Sequence, residues 1–305
     1  MAPNKTSRSD GSKRSLRAQM ADLLARLQIW LPATQRVDWD RATVAVWRGG
    51  PVGGGFRVHP EDATAQAQPR LTLEDLQGID RQKAALVANT AQFVAGRPAN
   101  NALLWGARGT GKSSLIHALL NRYHSDGLRL IQIDKQQLHD LPELVALLAD
   151  EAFRFVLFCD DLSFEANDPG YKAVKSALDG SVSRTTENLL IYATSNRRHL
   201  LPETMADNQQ SQMRNGELHA GEAIEEKISL SDRFGLWLSF YQFDQAAYLE
   251  IAEHWVATLA QRHKLDVRWS DDCRAEALRW ALARGVRSGR TAHHFARHWV
   301  GQEGK

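Results

Sequence analysis

The chain has 305 residues, with 38 Lys+Arg against 36 Asp+Glu and a formal net charge of +2. With 43% apolar and 24% charged residues it can build a full-sized core, which excludes a largely disordered chain. The near-balanced charge excludes a generally basic nucleic-acid binder and leaves only local patches for that role. Cys159 and Cys273 stand far apart with no metal-ligand spacing around them, and read as reduced thiols of a cytosolic protein. No apolar run approaches the ~20 residues that span a bilayer, and Met1–Arg14 lacks the apolar segment of a secretory signal. The expected location is the cytoplasm, with no membrane partner.

Residues 1–14 read as a disordered basic arm carrying Lys5, Arg8, Lys13 and Arg14. From Ser15 a helix is expected, because Leu16, Met20, Leu23, Leu24, Leu27 and Leu31 fall on one helical face. Trp39, Val44, Val46 and Trp47 predict a short strand, Gly49–Gly55 a turn, and His59–Arg70 a polar linker. Residues 15–70 are therefore expected to form a small N-terminal module and linker. From Leu71 the rhythm becomes regular. Helix Asp80–Ala95, strand Ala102–Trp105, helix Ser113–Tyr123 and strand Leu128–Ile133 come first. Helix Leu141–Asp150, strand Phe155–Cys159, helix Tyr171–Asp179 and strand Leu189–Thr194 follow. Continuous apolar strands alternating with helices predict an α/β fold with a parallel sheet covered on both faces.

Residues 203–228 break this rhythm as a polar, acid-rich insertion within a core domain of 71–243. Beyond about Asp244 the pattern turns helical, and residues 244–305 are expected to form a small helical domain. Tyr248, Ile251, Trp255 and Leu259 mark its first helix. Ser270-Asp271-Asp272 caps a second, with Leu278, Ala281 and Leu282 on its apolar face and a stop near Gly285. Phe295 and Trp299 lie on a third.

The chemistry is written between the first two strands of the core. Gly106-Ala107-Arg108-Gly109-Thr110-Gly111-Lys112-Ser113 fits G-x-x-x-x-G-K-[ST], with an apolar strand before it and a helix after it. The glycines let backbone N–H groups curl around phosphates, and the following helix directs its positive end at them. Lys112 is expected to reach the β- and γ-phosphates of ATP, and Ser113 to hold Mg2+ through its hydroxyl. Ser114 completes the expected ATP-binding run. Downstream, the apolar strand Phe155–Cys159 ends in Asp160-Asp161, the place of a Walker B segment. Asp160 is expected in the Mg2+ shell, and Asp161 as the general base that polarises the attacking water.

The order of these motifs resembles the AAA+ ATPases. A P-loop, a Walker B segment, Tyr192-Ala193-Thr194-Ser195-Asn196, Asp232-Arg233-Phe234 and a helical lid follow one another from about Leu71 to Trp299. The resemblance implies that Asn196 is sensor 1, placing the lytic water, and that Arg233 is an arginine finger reaching a neighbouring subunit's γ-phosphate. It also implies a sensor 2 arginine in the lid. Gly289-Arg290 matches that position, with Arg284, Arg287 and Arg297 close by in the sequence. Leu76-Gln77-Gly78-Ile79-Asp80 is similar to the segment that packs against adenine in that group. The stretches Phe158–Glu165 and Glu225–Leu236 further resemble a bacterial AAA+ family known as domain of unknown function 815. Many AAA+ members carry Asp-Glu where this chain has Asp160-Asp161, so the base stands one methylene further back; Glu165 lies four residues on.

The resemblance implies an ATPase that assembles as a ring or open spiral of identical subunits and remodels a protein client. The N-terminal module and the 203–228 insertion, being extra to the ATPase core, are the expected client-binding parts. The alternative is a nucleotide-gated switch acting on DNA or a helicase with slow or no hydrolysis. Two aspartates at the Walker B end favour it, as do the arginines and histidines of 274–300.

Overall fold

The computed structural model describes residues 37–50, 53–58, 71–164, 169–178, 187–198, 200, 212–214, 217–219 and 230–303. The basic arm, the helix expected from Ser15, the linker of 59–70, Glu165 and most of 203–228 lie outside these residues. In chain order the first elements are β1 (Val44–Arg48), β2 (Gly55–Arg57), α1 (Asp80–Val94), β3 (Ala102–Gly106) and α2 (Lys112–Tyr123). Then come β4 (Leu128–Gln132), α3 (Leu141–Leu148), β5 (Arg154–Cys159), α4 (Pro169–Leu178) and β6 (Leu189–Ser195). A short hairpin, β7 (Gln212–Arg214) and β8 (Glu217–His219), precedes β9 (Leu236–Phe240). The helices α5 (Gln245–His263), α6 (Asp271–Arg284) and α7 (Gly289–Glu303) close the chain.

Strand β5 shows why the sheet is parallel and buried. Successive side chains point to opposite faces of a strand, so Phe155, Leu157 and Cys159 enter one apolar cluster while Val156 and Phe158 enter another. Both faces need apolar cover, hence the unbroken apolar run. The first cluster is closed by Leu138, α3 and α4, the second by α1 and α2. The seven-stranded sheet has the order β2-β1-β4-β5-β6-β3-β9, parallel throughout except for β2.

Strands β1 and β2 extend the same sheet. Val46 of β1 lies opposite Gln132 of β4, and Trp39 packs edge-on against Phe155 at 4.9 Å. Trp47 is fully buried, and its indole N–H donates to Asp140 Oδ2 at 3.0 Å. The described part of the N-terminal segment is thus packed into the core. At the opposite edge lies β9, which the sequence pattern did not announce. Its five residues include Ser239 and carry no turn signal; pairing with β3, Leu103 opposite Trp237, makes it a strand.

The last three helices form their own apolar cluster. Asp244 caps α5 by accepting the Ala247 N–H at 2.8 Å, and Ser270 caps α6 by accepting the Cys273 N–H at 3.2 Å. Helix α6 stops at Gly285, whose φ of +64° suits a glycine terminator. Its buried stripe is Cys273, Ala277 and Ala281, one residue per turn. Leu282, expected on that apolar face, is instead 83% exposed, because so narrow a stripe turns the neighbouring position to solvent. Among the described residues no helix is long and apolar enough to cross a membrane.

Candidate active site

Parallel strands present their C-terminal ends along one edge, where open α/β sheets bind ligands. Here β3 runs into the loop Gly106–Gly111, β5 into Asp160-Asp161, and β6 into Asn196. Helix α7 of the lid stands over the same edge. Between them lies a cleft of about 820 Å³, lined from the core by Arg108–Ser114, Asp160, Asp161, Thr194 and Asn196 and from the lid by Arg290, His293, His294 and Arg297.

Two glycines let three parts of the chain meet at the loop. Gly106 has φ +126°, and a Cβ there would stand 2.0 Å from the Phe240 carbonyl oxygen, the end of β9. Gly109 has φ +73°, and its Cβ would stand 2.8 Å from Ser288 Oγ, just before α7. The same close approaches carry hydrogen bonds. The Ala107 N–H donates to Phe240 O at 2.9 Å, and the Arg290 N–H to Gly109 O at 3.3 Å. Ala107 and Gly106 serve through their carbonyls, while Arg108 to Ser114 face the cleft.

Lys112 is buried and donates to Gly106 O at 2.9 Å, to Ala107 O at 2.7 Å and to Asn196 Oδ1 at 3.4 Å. Burial pulls its pKa below the ordinary lysine value, Asp160 and Asp161 pull it back up, and Arg108 and Arg290 lower it further. Three cations thus converge beside the N-terminus of α2, an arrangement that a polyphosphate would relieve.

The acidic side is equally ordered. Asp160 Oδ1 accepts from Ser113 Oγ at 2.7 Å and from Thr194 Oγ1 at 2.5 Å. Asp161 sits at φ +51°, a left-handed conformation that costs a non-glycine residue about 1–2 kcal/mol. The bonds to Thr194 oppose that cost: Asp161 N–H donates to Thr194 Oγ1 at 2.9 Å and Leu162 N–H to Thr194 O at 2.7 Å. Asn196 Nδ2 then donates to Asp161 Oδ1 at 2.5 Å. The donor set fits Mg2+. A Ser113 hydroxyl and an Asp160 carboxylate are hard oxygen ligands, and Mg2+ in such sites takes one or two protein ligands and fills its shell from phosphates and water. Among the described residues no group of three or more His, Cys, Asp or Glu side chains forms a separate metal site.

The far end of the cleft is apolar. Leu76 and Ile79 face Phe243, Ile251 and Trp255 across it. Asp75 ties this end together: it accepts the Thr72 N–H at 2.8 Å and meets His254 at 3.2 Å and Arg262 at 3.7 Å, both on α5. His293 packs edge-on to Trp255 at 4.5 Å. Burial first, then Arg297, His294 and Arg262, hold its pKa below the ordinary histidine value, with Asp75 opposing them.

Of the remaining residues singled out from sequence, Arg290 lines the cleft, as does Arg297. Arg284 lies over the Trp280 ring at 3.5 Å and, like Arg287, does not line it. Arg233 is half-buried in the turn before β9, its N–H on Leu230 O at 3.3 Å, and does not line the cleft of its own chain. Cys159, beside the acids, is buried, and burial pushes its thiol up to about 12, which favours the protonated form. The sequence assigns no site role to Thr194, Asp75, Trp255 or His293, although Thr194 stands in the Tyr192–Asn196 stretch and Trp255 on the first lid helix. Thr194 had a usable signal, since it stands two residues before Asn196, at the end of β6, and both line the cleft.

A family model described as Protein of unknown function (DUF815) matches residues 55–303. The chain belongs to this family. No curated protein sequence matches it. Among solved structures this DUF815 member is similar to a single-residue variant of Thermotoga maritima RuvB, with a TM-score of 0.50 and 17% identity over 75% of this chain and 63% of that one. It is also similar to Aeropyrum pernix ORC1, solved in complex with DNA, with a TM-score of 0.48 and 15% identity over 74% of this chain and 60% of that one. For C. elegans PCH-2 the TM-score is 0.45 and the identity 20%, over 72% of this chain and 62% of that one. The chain therefore spans less than two thirds of the RuvB chain's length. The chain shares its fold with RuvB, an α/β core on a parallel sheet followed by a group of helices.

Proposed function

We propose that this DUF815 protein is a Mg2+-dependent ATPase whose sites are completed by neighbouring copies of the same chain, and that it uses turnover to remodel a protein client. The observation that carries the reading is the unbroken hydrogen-bonded array on the strand ends: Ser113 to Asp160, Asp160 to Thr194, Thr194 to Asp161, Asp161 to Asn196, and Asn196 to Lys112. It gathers a phosphate-binding cation, two metal-ligating oxygens, a base and a water-orienting amide in one place.

In this reading Lys112 leaves its loop carbonyls for the β- and γ-phosphate oxygens, and Ser113 and Asp160 hold Mg2+. The ion, when bound, neutralises charge on the phosphates. Asp161 accepts the proton of the water that attacks the γ-phosphorus, and Asn196 holds that water and the Asp161 carboxylate in register. The P–O bond to the β-phosphate breaks, releasing ADP and phosphate. Arg290 contacts the phosphates from the lid. Arg233 stands outside its own cleft, which supports a role on the γ-phosphate of an adjoining copy, stabilising charge in the transition state.

The arginines of 274–300 weigh against the DNA-switch alternative. Arg290 and Arg297 turn into the cleft, Arg279 pairs with Glu276 at 2.6 Å, and Arg284 covers Trp280. Few remain for a phosphate backbone. The test is steady-state ATP hydrolysis against protein concentration, for wild type and Arg233→Ala. Specific activity that rises with concentration, and collapses in the variant while ATP binding persists, is the expected result. Negligible turnover at all concentrations with intact ATP binding would overturn the hydrolytic reading and turn attention to DNA.

A further inference from the structure

We infer that Thr194 is a positioning residue that sets both Walker B aspartates at once, so that metal affinity and base placement depend on one hydroxyl. The inference rests on the Mg2+-dependent ATPase reading and assigns a role to Thr194, where the motif's expected role falls on Asn196.

Three consecutive residues of the turn after β5 are fastened to Thr194. Its Oγ1 donates to Asp160 Oδ1 at 2.5 Å and accepts the Asp161 N–H at 2.9 Å, while its carbonyl accepts the Leu162 N–H at 2.7 Å. A hydroxyl has one proton and two lone pairs, so it can hold a carboxylate and a backbone amide together. The hydroxyl proton is donated to the Asp160 carboxylate, and a lone pair accepts the Asp161 N–H. A valine in the same place has the same shape and can do neither. Thr194 is 1% exposed, so water cannot substitute for the lost hydroxyl without rearrangement.

The consequences differ for the two aspartates. Asp160 Oδ1 has a second hydroxyl on it, Ser113 Oγ at 2.7 Å, but Ser113 is itself a proposed Mg2+ ligand. Thr194 is the donor to Asp160 that metal binding does not recruit, and it orients the carboxylate as outer-shell partners do in metal sites. For Asp161 the effect is on the backbone. The left-handed turn at φ +51° carries its carboxylate to Asn196 Nδ2, and the N–H on Thr194 Oγ1 is one of the bonds that keeps the turn there. Loss of the hydroxyl therefore weakens metal retention and misplaces the base, while the backbone of the phosphate loop keeps its own bonds, Ala107 N–H to Phe240 O and Gly109 O from the Arg290 N–H.

The test is calorimetric titration of ATP into the full-length protein, once with Mg2+ and once with EDTA, for wild type, Thr194→Val, Thr194→Ser and Ser195→Ala, with turnover measured on the same samples. The affinity gained from Mg2+ is the readout. It should fall by about 10–100-fold in Thr194→Val, the range seen when an outer-shell partner is removed. Affinity in EDTA should be unchanged, turnover should fall with little change in KM for ATP, and Thr194→Ser should restore both. Ser195→Ala, whose hydroxyl serves the Arg197 N–H at 3.1 Å, should behave as wild type. Equal Mg2+ gains in wild type and Thr194→Val would overturn the inference. So would a loss of affinity in EDTA that Thr194→Ser fails to rescue, because that marks a general packing defect. If the wild type itself takes up no ATP with or without Mg2+, the ATPase reading falls first and the inference with it.

Discussion

The core wall of the cleft is fastened by side-chain bonds between neighbouring strand ends, whereas the lid wall is built from α5 and α7, with polar ties to the core at Gly109 and Asp75. On the core side, Ser113, Asp160, Thr194, Asp161, Asn196 and Lys112 each hold the next. On the lid side, Arg290 is tied to the loop by its backbone at 3.3 Å, and its guanidinium stands exposed at the cleft. The difference teaches where function is preorganised. In the proposed reading, the groups that act on the reacting atoms are held by one another before substrate arrives, while the arginines proposed to sense it stand on the lid.

The core wall is the place to break first. Asp161→Asn keeps the shape and the Asn196 neighbourhood but removes the proposed proton acceptor. Turnover should fall by about 10²–10⁴-fold with ATP affinity retained, as measured by steady-state rates beside a binding titration. If affinity fell in parallel, Asp161 would be a structural residue of the loop. The lid wall should respond in the opposite sense. Arg290→Ala removes the proposed lid-side partner of the phosphates, and the measured Kd for ATP should rise by about 10–100-fold, the scale of one charge-assisted hydrogen bond. Arg297→Ala serves as the internal comparison, since it lines the same cleft one helical stretch away. A larger loss there would move the sensor role from Arg290 to Arg297.

The same contrast explains what could be read from the amino-acid sequence. The loop 106–113 and the Asp160-Asp161 pair are contiguous, so their chemistry is visible without coordinates, and the alternation of apolar strands with helices carries the sheet. The role of Thr194 depends on β6 lying beside β5, a pairing no local pattern states. Asp75 is further from view, because its partners His254 and Arg262 lie some 180 residues on and meet it only when α5 packs against the segment before α1. Strand β9 needed β3 as a partner to be recognised as a strand. Arg290 and Arg297 are told apart from Arg284 and Arg287 by which side of the lid helices faces the cleft, and the spacing alone leaves all four open. Leu282 shows the converse, an apolar residue at the right spacing on the wrong side of a narrow buried stripe.

Asp75 tests whether the lid is anchored as weakly as its few bonds imply. Asp75→Asn keeps an acceptor for the Thr72 N–H but discharges the group facing His254 and Arg262. A partly buried contact of this kind is worth about 1–3 kcal/mol. Hydrogen exchange should quicken in α5 and α7 while β3, β5 and β6 keep their protection. Uniform quickening would mean that the lid and the sheet open as one unit, and the contrast between the walls would lose its energetic content.

The smallest effect, and the one that separates the walls by pH, belongs to His293. Burial, then Arg297, His294 and Arg262, favour its neutral form in the folded chain, so its folded pKa lies below the unfolded value of about 6.5. As pH falls through about 6.5 the unfolded chain takes up this proton first, and binds more protons than the folded chain until the folded pKa is also passed. Stability therefore declines with falling pH across that window and is insensitive to this group above it. Asp75 faces the same imidazole and opposes the shift, so removing its charge should deepen the decline. The measurement is the thermal midpoint of wild type and His293→Gln at a series of pH values on either side of 6.5. The difference between the two curves should be flat above that value and grow below it, with wild type losing more. A difference that stays flat throughout would show that the lid admits the charged imidazole without cost, through water or through a shift of α7 away from α5.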